Sequence, residues 1–155
     1  MSVASRPLQQ VRPSTKPELW TGYNDPNGGI RNNLSRDEIA SIVTSGAGTL
    51  WVDIDTRDPN DVAILSDIFH FHPLAIEEAT NPQSRVKLEE FDKYLLLIVR
   101  TVAFCETTDD PYDLDTVNIS FFLGENYLVT VHGEAYRDYL ARTGRLFPRL
   151  KPKGL

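Results

Sequence analysis

A chain of 155 residues is one domain's worth, long enough to bury roughly 68–70% of its unfolded surface without a disulfide or metal staple. Its 41% hydrophobic and 25% charged content is that of a globular protein, and a net charge of −6 argues against nucleic-acid binding, which needs a basic stripe to displace counterions from phosphate. The acidic balance disfavours adhesion to anionic lipid and suits cation attraction, while a single cysteine, Cys105, admits no internal disulfide and favours a reducing, cytoplasmic setting.

No segment reaches the roughly 18–20 apolar residues of a membrane helix; the longest apolar runs, Tyr94–Val99 and Phe121–Leu123, have strand length. Residues 1–17 mix Pro, Ser, Gln and basic residues without periodicity or an apolar h-region, and read as a flexible tail. The domain proper is expected over 18–150. Asp25–Gly29 is a turn cluster. Ser35 and Glu38 form a capping box that opens a helix to about Ser45, ended by Gly46 and Gly48. Thr49–Asp55 alternates as a strand, with Leu50, Val52 and Ile54 on one face and Trp51, Asp53 and Asp55 on the other. Asp58-Pro59 starts a second helix with Val62, Leu65, Ile68 and Phe69 as its buried stripe. His72-Pro73 starts a third, running to about Ala79, and Asn81-Pro82 stops it.

Arg85–Lys93 reads as a strand that bends, with Val86 and Leu88 inward, and Tyr94–Phe104 as a central strand covered on both faces. A polar loop over Glu106–Asp115 follows. Thr116–Leu123 and Tyr127–His132 form a hairpin through Gly124-Glu125-Asn126, with a left-handed residue expected at Gly124 or Asn126. From Glu134 to Phe147 the pattern is helical, with Tyr136, Leu140 and Phe147, or Tyr139 and Leu146, as its apolar stripe. This order describes an α/β protein, an α/β/α layered domain with a central mixed β-sheet whose strand order stays open.

The residues themselves point to no enzyme. Glu77 and Glu78 are adjacent on a helix and diverge by about 100°, so read alone they are a solvated face rather than an acid–base pair. His70 and His72 could hold a transition metal on one strand face, but their helix-end positions favour capping or hydrogen bonding. His132 offers nothing specific. Between Glu106 and Asp115 the loop lacks the glycine and terminal glutamate of an EF-hand. Asp53 and Asp55 have no nucleophile or phosphate cradle nearby, Gly28-Gly29 fails as a phosphate loop, and Cys105 at a strand end reads as an inert thiol. A small α/β enzyme would need Asp53 gathered with His72 or His132.

Four segments together are more specific than any one. They are Trp51-Val52-Asp53; Phe71-His72-Pro73-Leu74 through Glu77-Glu78; Arg85-Val86-Lys87-Leu88-Glu89 followed by Tyr94–Val99; and Phe122–His132. Their order resembles the cytoplasmic domain of CorA-type divalent metal ion transporters, a family of magnesium channels and zinc-transporting relatives, over roughly Thr49–Phe147. Two substitutions depart from the family pattern, which often has proline at the position of Val86 and aspartate at that of Glu78. The stalk helix, the two membrane helices and the glycine–methionine–asparagine pore signature do not occur in this sequence. The resemblance implies a non-enzymatic, amino-terminal regulatory domain of a homopentameric transporter at the cytoplasmic face of the inner membrane, reaching the membrane through a missing carboxy-terminal part. It implies Mg2+ as the regulatory ion, held weakly, with other divalent cations as possible cargo, and Glu78, with Glu77 beside it, as the acidic metal-binding position shared between subunits. The alternative is a free-standing α/β regulatory or interaction module.

Overall fold

The computed structural model describes residues 19–104 and 114–136. The tail, Cys105, most of the acidic loop and most of the helix expected after Glu134 lie outside them. Seven strands form one mixed sheet. Trp20–Asp25 (β1) and Gly29–Asn32 (β2) make an antiparallel hairpin on the Asp25–Gly29 turn, and β1 pairs antiparallel with Thr49–Asp55 (β3). Beyond β3 lie, in order, Tyr127–His132 (β7), Leu114–Leu123 (β6), Leu95–Phe104 (β5) and the edge strand Lys87–Glu90 (β4). Only β3 and β7 run parallel, at the junction between two antiparallel groups.

Helix α1 (Arg36–Ser45) starts as its sequence dictates. Ser35 Oγ accepts from the Glu38 backbone N–H, the Glu38 carboxylate accepts from the Ser35 N–H at 2.8 Å, and Gly46 ends the helix at φ 68°. Those Ser35 hydrogen bonds, ahead of the Arg31 charge, hold the Glu38 carboxyl below its ordinary pKa. Pro59–Asp67 (α2) is capped by Asp58 and carries proline at its first turn, and Pro73–Thr80 (α3) is capped by His72. All three helices contribute to one core, in which Ile39, Ile42, Ile64, Leu65, Ala75 and Ala79 meet Leu50, Val52 and Ile54 of β3 and the facing residues of β5, β6 and β7. Phe71 fills its centre, stacked on Phe122 at 4.1 Å and 6°. Residues 134–136 are helical, and Tyr136 packs on the His132 ring at 4.9 Å.

Four expectations change. Val86 and Leu88 do not face inward; Leu88 is 67% exposed. Leu88 pairs with Leu97, whereas Lys87 pairs with the fully buried Ile98 and Glu89 with the fully buried Leu96, so Lys87 and Glu89 take the helix-bearing face. Strand β5 is most deeply covered on that face: Leu96 and Ile98 are buried and Leu97 and Val99 half-buried, while Leu95 and its partner Leu123 are exposed. The β6–β7 turn has no left-handed residue either; those conformations fall at Asn33 and His70 and at Gly29, Gly46 and Gly48. Gly124 is required for space instead, because a Cβ there would lie 2.2 Å from the Tyr127 ring. Asp55, expected outward, is buried and held by Arg57.

Candidate functional site

The acidic pair sits on α3, and its position is fixed from both ends. At the start, His72 Nδ1 accepts from the Leu74 N–H at 3.2 Å, and the His72 N–H donates to the Tyr94 hydroxyl at 3.0 Å. Along the helix, Ala75 and Ala79 bury against the sheet, where Ser120 Oγ donates to the Ala79 carbonyl at 3.1 Å. At the end, Ser84 Oγ donates to the Glu78 carbonyl at 2.7 Å, and the Ser84 carbonyl accepts from Asn118 and Arg100. Glu78 is thereby anchored to β5 and β6 through its own backbone.

Its carboxylate meets an ion. Lys87 on β4 extends its ammonium from the helix-facing side and bonds Glu78 Oε2 and Glu89 Oε2, the latter at 2.7 Å. Glu78 and Glu89 remain 41% and 45% exposed, and Lys87 30%. The hydrogen bond to Glu78, followed by that to Glu89, raises the Lys87 pKa above its ordinary value. Glu77 is exposed, one helical step away, and makes no ion pair among the described residues. The structure thus separates the two glutamates as helical geometry requires, and gives Glu78 a counter-ion that spacing did not reveal.

The histidines divide as capping predicts. His70 Nδ1 lies 3.0 Å from the Ser66 carbonyl and donates to it, while His72 Nδ1 accepts, so the two rings serve different backbone ends. No group of three or more metal-ligating side chains occurs among the described residues.

The sequence reading missed the network on the opposite sheet face. Trp51 Nε1 donates to Thr130 Oγ1 at 3.2 Å; Thr130 in turn donates to Asp53 Oδ1; His132 Nε2 donates to Asp53 Oδ2 at 3.0 Å. His132 is 3% exposed, and its Nδ1 has no hydrogen-bond partner among the described residues. The parallel register that sets Asp53 opposite Thr130 and Asp55 opposite His132 brings these groups together. Asp53 and His132 do therefore meet, as a small enzyme would need. Yet the carboxylate stands between the hydroxyl and the imidazole, so the imidazole does not reach the hydroxyl it would have to deprotonate.

The fold is thus a mixed α/β domain that carries a helix-borne carboxylate in an exposed ion cluster. The family model described as CorA-like Mg2+ transporter protein matches residues 46–151, and the chain belongs to that family. Among curated proteins it is 34% identical over 82 residues to "Putative metal ion transporter YfjQ" of Bacillus subtilis (strain 168), covering 53% of this chain and 24% of that protein. The chain therefore spans about a quarter of that relative's length. Among solved structures it resembles the soluble domain of CorA from Methanocaldococcus jannaschii, with TM-score 0.52, 15% identity and coverage of 82% of this chain and 47% of that one. It also resembles the complete CorA magnesium transporter of the same organism, with TM-score 0.55, 13% identity and coverage of 88% and 41%. At these identities the structural likeness defines the fold.

Proposed function

We propose that this chain is the cytoplasmic, metal-sensing portion of a larger divalent-cation transporter, with Mg2+ the regulatory ion and Glu78 its contact. The observation that carries this reading is the family match over 46–151, within which α3 delivers Glu78 to the accessible rim of the sheet on an anchored backbone. Mg2+ suits a sparse carboxylate site because it keeps most of its water and takes one or two carboxylates. The second carboxylate comes from a neighbouring subunit of a homopentamer, and the pore lies in membrane-spanning parts beyond this domain. An ion bound only in the arrangement that closes the pore shifts the equilibrium toward closure by its differential affinity. Within one protomer the site is half built and binds Mg2+ weakly.

Calorimetric titration of the 155-residue chain with magnesium chloride tests this. Weak binding that Glu78→Ala abolishes is expected, and a tight stoichiometric site in the monomer would contradict it. In the full transporter, Glu78→Ala is expected to remove the protection that Mg2+ gives against proteolysis; unchanged protection would reject Glu78 as the sensor.

A further inference from the structure

We propose that Lys87 is a tethered counter-ion of Glu78, which a divalent cation must displace, and that this competition sets the sensor's working range. The inference rests on the reading of Glu78 as the cation contact and adds the residue that regulates it. Lys87 Nζ bonds Glu78 and Glu89 at once, so the ammonium already occupies the position between the two carboxylates. Its backbone lies in register with Ile98 on β5, and this parity sends the side chain up beside α3. Opposite, Glu78 is held from behind by the Ser84 hydroxyl on its carbonyl. The two charges are thus presented to each other by fixed backbones, while both side chains stay accessible enough to exchange partners.

A divalent ion arriving at Glu78 meets a carboxylate whose charge is already compensated, so its apparent affinity falls by the fraction of time that Lys87 occupies it. Exposed pairs of this kind shift an equilibrium by a few-fold each. With two carboxylates sharing one ammonium, removal of the amine is expected to tighten Mg2+ binding on the order of three- to ten-fold. The competition is reciprocal, so Mg2+ must also weaken the hold on the Lys87 proton.

The test is titration of the 155-residue chain with magnesium chloride at fixed ionic strength, followed by calorimetry and by the backbone resonance of Glu78. Lys87→Met is expected to bind three- to ten-fold tighter than the parent, and Lys87→Arg to bind like the parent. Lys87→Met combined with Glu78→Gln is expected to bind no better than Glu78→Gln alone. A control, Arg31→Met, frees Glu38, which pairs with Arg31 elsewhere on the surface, and is expected to leave affinity unchanged. Parent-like affinity in Lys87→Met, or equal tightening in Arg31→Met, would overturn the inference. If Glu78→Gln loses binding while Lys87→Met gains none, the cation contact survives and the counter-ion falls. If Glu78→Gln binds like the parent, the cation contact itself falls, and the inference with it. Circular dichroism of each variant separates loss of fold from loss of binding.

Discussion

Thr130→Val probes the Asp53 network at almost constant volume. Thr130 is 5% exposed, and its hydroxyl makes two bonds: it accepts from the Trp51 indole at 3.2 Å and donates to the Asp53 carboxylate. A hydrogen bond to a charged group contributes about 1.5–3 kcal/mol and a neutral one about 1, while the new methyl recovers about 0.8 kcal/mol of burial. The difference is a net loss of about 2 kcal/mol. Because the indole N–H is only half-buried, water replaces part of its bond and the value sits toward the lower end. With a urea dependence of about 2 kcal/mol per molar, the unfolding midpoint falls by about 1 M, and the melting temperature of a domain this size falls by about 4–8 °C. Chemical denaturation followed by circular dichroism measures it. A change below about 0.5 kcal/mol would refute the claim that the hydroxyl bridges the two groups. Asp53→Asn offers a check on the ionic half, because it keeps the shape of the side chain and removes the charge that His132 Nε2 meets.

Gly124→Ala is expected to destabilise by about 1–3 kcal/mol, the range of overpacking, because its Cβ would fall 2.2 Å from the Tyr127 ring; a neutral result by denaturation would remove that steric requirement. Strand parity on β4 is tested by Leu88→Asp, expected within about 0.5 kcal/mol of the parent, against Ile98→Ala on the paired strand, expected to cost about 2–5 kcal/mol. The reverse ranking in thermal melts would restore the inward reading of Leu88. Glu38 gives the pH dependence: its folded pKa lies below the ordinary carboxylate value, so its contribution is fully present above the unfolded pKa and is lost as pH falls through the folded one. Acid titration of Glu38→Gln is expected to lack this component, and identical acid profiles for parent and variant would refute it.

What was legible in the sequence was what local chemistry decides. Ser35 and Glu38 are three residues apart, so their reciprocal caps follow from helix geometry alone, and the alternation of Thr49–Asp55 marks β3 without knowledge of its neighbours. Where burial is conferred by distant elements, the pattern misled. Strand β1 buries Thr21, whose hydroxyl accepts the Leu34 N–H at 2.7 Å, and β2 is exposed throughout, so neither shows the apolar alternation of a half-buried strand. On β4 the binary rule assigned Val86 and Leu88 to the core, because it scores hydrophobicity and cannot see that a carboxylate on α3 waits above the other face. Asp53 and His132 lie 79 residues apart, and only the parallel pairing of β3 with β7 makes them neighbours.

The same limit governs the candidate site. Helical spacing points Glu77 and Glu78 about 100° apart, and in the structure Glu77 is exposed while Glu78 is engaged by Lys87. Spacing alone would count two adjacent negative charges available to a cation. The fold regroups them: Glu78 joins Lys87 and Glu89, two carboxylates and one ammonium, a local charge of −1 rather than −2. Since cation attraction at a water-exposed rim scales with that local charge and is screened over about 8 Å at physiological salt, the proposed Mg2+ site of a single protomer would offer little beyond a weak, hydrated contact. Under the proposed function, tight and switchable binding would require further negative charge brought within that distance, as the proposed assembly of several such domains would supply.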